Sequence, residues 1–297
     1  MSAPVIAAYD PAAGDRAPVR FGAAVAAVTG ARLHVASAYA DDAVVNRLAG
    51  GQMGEELPAN PGVALDEVVR ELEGVDAEAL ALGATSAPRA LDLAAVEIGA
   101  ALLVVGSAAS GQPGRLAPGS TAQRLLNGGP CAIAVVPRDW DGALAPATVA
   151  AAFADTPEGH AAVRDAHALA RRAGAVLRVV TAVQPRPWMQ PDAGGTDGAV
   201  ESELRSLAEE AAAVATPAAA GVAVDIDVQV ADPAESLLAV SEEVDVLVCG
   251  SRSYGARPAA LLGGVTRRVT AEAACPVILL AHGAEVELRA LIAESRG

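Results

Sequence analysis

The 297-residue chain contains no lysine; all 21 of its basic residues are arginine. Chemistry that needs a side-chain amine is thereby excluded, including Schiff-base formation and the lysine of a P-loop. Aromatic residues make up only 2% of the chain. The three cysteines, Cys131, Cys249 and Cys275, are scattered singly, with no C-x-x-C pair and no histidine at metal spacing. They read as buried, reduced thiols in strands. No unbroken apolar run reaches the roughly 18 residues of a membrane-spanning helix. MSAPVIAAYD places no basic segment ahead of its apolar run, so the expectation is a cytoplasmic protein with no membrane partner. Positive charge is scarce overall. With 36 acidic residues the formal net charge is −15, which repels nucleic acid and anionic lipid alike. The four histidines (His34, His160, His167 and His282) form no set with acidic or cysteine partners at metal spacing, and no metal is assigned. No G-x-S-x-G elbow supports nucleophilic hydrolysis.

What is present is apolar and repeated. At 53% hydrophobic residues and a mean hydropathy of +0.35 the chain can bury a large core, and its length suggests two domains. TGARLHVASA (29–38) parallels AGAVLRVVTA (173–182), LLVVGS (102–107) parallels VLVCGS (246–251), and PCAIAVVP (130–137) resembles CPVILLA (275–281). Gly30 and Gly174, Gly106 and Gly250, Gly119 and Gly263, and Cys131 and Cys275 are each 144 positions apart. One constant offset over separated landmarks means duplication. The copies occupy 1–138 and 147–282, joined by a turn-rich linker at 139–146 and followed by a tail at 283–297.

Within each copy short apolar runs alternate with helical patterns, the signature of βα units around a parallel sheet. Strands are expected near 4–9, 32–39, 76–82, 101–106 and 131–136, then near 147–153, 175–183, 223–230, 244–249 and 276–281. Helices of the first copy fall near 15–29, 63–73, 88–99 and 120–127. LLVVG and VLVCG are almost wholly apolar, as strands covered on both faces should be. The fold class is α/β: two tandem doubly wound, Rossmann-like domains. Each has a five-stranded parallel sheet flanked by helices, and a ligand crevice at the carboxyl ends of its strands.

Two segments carry the most chemical information, GSAASGQPGRLAPGST (106–121) and GSRSYGARPAALLGGVT (250–266). Each leaves a strand on glycine, crosses a loop and ends in small residues that open a helix. Exposed N–H groups at such a helix start, with glycine beside them, suit a phosphate. Ser120 is a candidate for both N-cap and phosphate donor. A Gly-rich turn leading to a capped helix explains the same residues, and both readings stay open here.

These segments resemble the nucleotide loop of universal stress proteins, in which glycine, two residues, glycine, nine residues, then glycine and serine or threonine follow a strand like LLVVG. The first copy supplies Gly106, Ala109 in place of the second glycine, Gly119 and Ser120. The second supplies Gly250, Ser253, Gly263 and Gly264 in place of the hydroxyl residue, with Thr266 two places on. Other landmarks extend the resemblance over nearly the whole chain. Asp10 and Asp155 match the aspartate ending the first strand, which meets the nucleoside. Ala38 and Ala182 match the residue whose backbone meets adenine.

The resemblance implies a stress-response or regulatory module with ATP binding, favoured in the first copy, and Mg2+ only together with the nucleotide. It implies at most slow hydrolysis, since no metal-holding carboxylate or cationic clamp is evident near the loops. A nucleotide-free interaction scaffold is the alternative. The resemblance further implies pairing through the strands PCAIAVVP and CPVILLA, within the chain or between two chains as a homodimer. The connections near 41–62 and 184–199 read as mobile loops, and Trp188 in the second of them and Trp140 in the linker are aromatic candidates for ordinary packing or anchoring.

Overall fold

Alternating apolar runs become alternating strands and helices in the computed structural model. It describes residues 2–40, 61–108, 110–143, 145–184, 197–217, 221–251, 263–281 and 286–292. In the first copy the order is β1 (Val5–Ala8), α1 (Ala17–Thr29), β2 (Leu33–Ala40), α2 (Gly62–Arg70), β3 (Ala77–Ala84), α3 (Ala87–Ile98), β4 (Leu102–Gly106), α4 (Ser120–Leu126) and β5 (Ala132–Val136). The second runs β6 (Thr148–Phe153), α5 (Pro157–Ala173), β7 (Val176–Ala182), α6 (Asp197–Ala215), β8 (Val224–Gln229), α7 (Pro233–Val240), β9 (Val246–Gly250), α8 (Gly264–Glu272) and β10 (Val277–Leu280). A 3-10 turn at Leu288–Leu291 follows.

Each copy forms a five-stranded parallel sheet, and the two sheets merge into one of ten strands, β3-β2-β1-β4-β5-β10-β9-β6-β7-β8. The junction is antiparallel: Val277 lies opposite Val135, Ile278 opposite Ala134 and Leu279 opposite Ile133. All six side chains are buried. Stacking apolar residues there removes both edges from water at once. The sheet's two faces carry separate cores. Val5, Leu33, Leu102, Val149 and Leu177 face one; Ile6, Leu103, Ile133, Leu247 and Leu279 face the other.

The repeated glycines acquire physical reasons. Gly30 and Gly174 follow the first helix of each copy at φ +69° and +67°, the left-handed region where a side chain is strained. α2 ends at Arg70, short of the patterned segment, and the chain then turns through Gly74 at φ +75°. Trp140 packs edge-on against Phe21, ring centroids 5.5 Å apart. The tail docks on both copies: the Ala3 amide donates to the Ala290 carbonyl at 3.0 Å, and Arg172 Nη2 to the Ile292 carbonyl at 3.2 Å. Most of the two long connections, with Trp188, lies outside the described residues, although α6 already starts at Asp197.

Candidate functional site

Parallel strands all end on one side of the sheet, and a crevice opens where neighbouring connections diverge to opposite faces. In the first copy this produces a cavity of about 350 Å3 at the ends of β1, β2 and β4. Asp10, Ala38, Gly106, Gly119 and Ser120 line it together, although they span 110 positions from Asp10 to Ser120. Ala109 lies outside the described residues.

The geometry corrects the expected role of Ser120. Gly119, extended at φ −73° and ψ −179°, is the N-cap of α4, and Ser120 is its first helical residue. Gly106 has a packing reason to be glycine: a Cβ there would stand 2.9 Å from Cγ of Pro18, where α1 crosses the end of β4. The loop after β4 is closed at its base by Ser107, whose Oγ donates to the Val136 carbonyl at 3.0 Å and accepts from the Ala117 amide at 3.1 Å. The Ala108 amide donates to the Ala117 carbonyl at 2.6 Å.

Two carboxylates border this cavity. Asp10 is exposed, and its Oδ1 accepts from the Ala12 amide at 2.9 Å. Asp15, which no motif marks, accepts from the Ala17 amide at 2.9 Å through Oδ1, while its Oδ2 is buried and, among the described residues, has no hydrogen-bond partner. Only the fold brings that residue to the crevice, so its spacing carries no signal. Among the described residues no arginine or histidine lines the cavity. Nearby Arg16 is held by Glu71 at 3.0 Å and lies 5.3 Å from the centre of the Tyr9 ring.

The second copy forms a smaller cavity of about 240 Å3, lined by Ala182, Gly250, Gly263, Gly264 and Thr266. Ser253 lies outside the described residues. Asp155 does not line this cavity; its exposed carboxylate bonds to His160 Nε2 at 2.9 Å. The cause is a short connection. α5 begins at Pro157, two residues past Asp155 and capped by Thr156, whereas α1 begins seven residues past Asp10. His160 also packs edge-on against Phe153. Gly250 meets a tighter constraint than Gly106, since a Cβ would stand 2.5 Å from the carbonyl oxygen of Glu158. Gly263 is the extended N-cap of α8, and Thr266 is buried within its first turn. Among the described residues no group of His, Cys, Asp and Glu is placed to hold a metal ion, and no helix is long and apolar enough to cross a membrane.

Comparison with known proteins finds one family twice in the chain. Residues 1–137 and 147–281 each match the Universal stress protein family. A Thermus aquaticus protein, "Universal stress protein in QAH/OAS sulfhydrylase 3'region", is 34% identical over 138 residues, 45% of this chain and 97% of its own. Among solved structures, a universal stress protein from Archaeoglobus fulgidus superposes with a TM-score of 0.68 at 16% identity, covering 95% of this chain and 100% of its own. A functionally unknown protein from Pseudomonas aeruginosa superposes with a TM-score of 0.65 at 16% identity, covering 94% of this chain and 92% of its own. At such identity these two likenesses bear on the fold alone.

Proposed function

The chain belongs to the universal stress protein family, with two tandem domains, and from that premise we propose that it is a regulatory module whose first copy binds an adenine nucleotide. One observation carries the reading: Asp10, Ala38, Gly106, Gly119 and Ser120, which motif spacing singles out, line a single cavity of about 350 Å3. That volume is within the roughly 300–1,000 Å3 of small-molecule sites. Its lining suits the nucleoside end better than the phosphates. Asp10 and Asp15 offer acceptors for ribose or base donors, Ala38 borders the same space, and small residues leave room for a flat ring. A phosphate tail would be met by backbone and hydroxyl groups at Gly119 and Ser120 and carry Mg2+ as its own counterion. The second copy offers a smaller cavity without the aspartate, so it is the weaker binder.

The lack of a cationic residue among the described ones lining the cavity also supports a second reading, a nucleotide-free interaction scaffold. It further argues against efficient phosphoryl transfer, which depends on charge stabilisation at the transferred group. Calorimetric titration of nucleotide-stripped protein with Mg-ATP separates the readings, run beside a Gly119→Val, Ser120→Ala double variant. Among the described residues a Cβ at Gly119 would meet only Ala108, at 3.6 Å, an ordinary contact, and circular dichroism of the double variant checks that valine's two further carbons leave the fold intact. Micromolar binding that the variant loses supports the nucleotide site. Absence of heat at millimolar ATP, with the fold intact by circular dichroism, leaves the scaffold.

A further inference from the structure

Pairing β5 with β10 uses one edge of each copy, so β3 and β8 are left as the outer strands of the ten-stranded sheet. They are unequal. β8 (VDIDVQ) carries Asp225 and Asp227, and Arg178 ties Asp227 at 2.7 Å to Glu243 at 2.6 Å beside it. A second copy approaching β8 would bring carboxylates together, a common protection of an edge. β3 (AEALALGA) holds one charged residue, Glu78, and no lysine, proline or bulge. Antiparallel pairing of β3 with itself about its midpoint sets Glu78 opposite Gly83, with no like charges facing.

The helix beside this edge is self-complementary as well. On α3, Arg89, Leu93, Val96 and Glu97 form one exposed stripe, at i, i+4, i+7 and i+8. Leu93 is 56% and Val96 46% exposed, and with Leu82, Leu93 lines a groove of about 490 Å3 against the strand end. Two such helices meeting antiparallel about Leu93 put Leu93 on Leu93, and Arg89 of each copy beside Glu97 of the other. Among the described residues neither Arg89 nor Glu97 has an ion-pair partner within its own chain. Because α3 packs over both β2 and β3, joining the sheets at the usual spacing of about 4.8 Å would bring the two helices to about 10 Å, a normal packing distance. An isologous contact of this kind closes on itself and stops at two copies.

We infer that two copies of this chain associate through β3 and α3, extending the sheet across a twofold axis with reciprocal Arg89–Glu97 pairs around Leu93. The test is sedimentation velocity from low to high micromolar concentration on the full chain, with Leu93→Arg, Arg89→Glu, Glu97→Arg and the double reversal Arg89→Glu, Glu97→Arg. All of these changes lie on an exposed helix face, and thermal melts report whether each variant folds. The wild type should dimerise with rising concentration, Leu93→Arg should stay monomeric, and each single reversal should weaken the dimer about tenfold or more. The double reversal should restore it, a rescue that general damage to the helix would not give. A wild type that stays monomeric throughout, or a dimer indifferent to Leu93→Arg and to both single reversals, overturns the inference.

Discussion

Arg115 of the first copy donates from Nη2 to Oε1 of Glu242 in the second at 2.6 Å. Its Nη1 donates to the Glu272 carbonyl at 3.4 Å, and the next residue, Leu116, donates its amide to the Ala273 carbonyl at 2.8 Å. The loop that borders the first cavity is therefore anchored at the end of α8, whose other end borders the second.

This anchor predicts unequal costs for neighbouring substitutions. Arg115 and Glu242 are about half exposed (43% and 56%), so Arg115→Ala should change stability by no more than about 1 kcal/mol. Leu116 is 2% exposed within the core that both copies share, and Leu116→Ala should cost about 2–5 kcal/mol. Urea unfolding of both variants checks the order; equal costs would mean that the buried side chain is not what holds the loop.

The two strand-end glycines should also respond differently. A Cβ at Gly106 meets a proline ring carbon, Pro18 Cγ, whereas at Gly250 it meets the Glu158 carbonyl in the first turn of α5. Both alanine variants should be destabilised, on the order of 1–3 kcal/mol, with Gly250→Ala the worse because backbone yields less than side chain. Thermal melts of the pair decide it.

Asp165 provides a pH signature. Burial pushes its carboxyl up to about 6, Glu287 adds to the rise, and Arg164 and Arg289 oppose it. Below pH ~4 both folded and unfolded chains hold this proton, and its ionisation costs nothing. As pH rises through the interval from about 4 to 6 the unfolded chain ionises first, so stability is lost, and above it the full penalty remains. Asp165→Asn should therefore be more stable than the wild type at neutral pH, by up to about 3 kcal/mol, with the gain vanishing below pH ~4. Melting temperatures of both proteins across that range are the measurement, and a gain that does not depend on pH would contradict the assignment.

All three cysteines are free and buried, and desolvation pushes Cys131 and Cys249 up to about 12 and Cys275 higher still. Since the thiolate is the nucleophile, the native protein should be inert to a thiol-specific reagent at mildly alkaline pH. All three should react once it is unfolded in denaturant. A spectrophotometric thiol titration in the two conditions reads this directly.

The strand positions are legible in the amino-acid sequence because runs such as LLVVG and VLVCG need burial on both faces and are too short for helices. The duplication is legible because Gly30 and Gly174 cap equivalent helices and Gly106 and Gly250 end equivalent strands. Ser120 stands one helical position beyond the cap that its chemistry suggests, since glycine can cap a helix without a side chain and leaves no mark to distinguish it. Asp155 follows β6 by two residues as Asp10 follows β1, yet a connection five residues shorter than the one after Asp10 carries it out of the cavity. Asp15 carries no mark in the sequence because it borders the crevice only after α1 has packed across β4.

Local patterning thus accounts for the elements and their order: hydrophobic period, glycine and turn chemistry act over a few residues and are written in the chain. The docking of Arg115 and Leu116 on the other copy, the return of the tail to Ala3 and the short connection that takes Asp155 out of its cavity belong to the tertiary structure alone, whereas the meeting of β5 with β10 is one that the family resemblance already implies. Each depends on which surfaces meet between segments far apart in the chain, and the free energy of such a contact resides in the complementarity of two faces, a property neither segment has by itself.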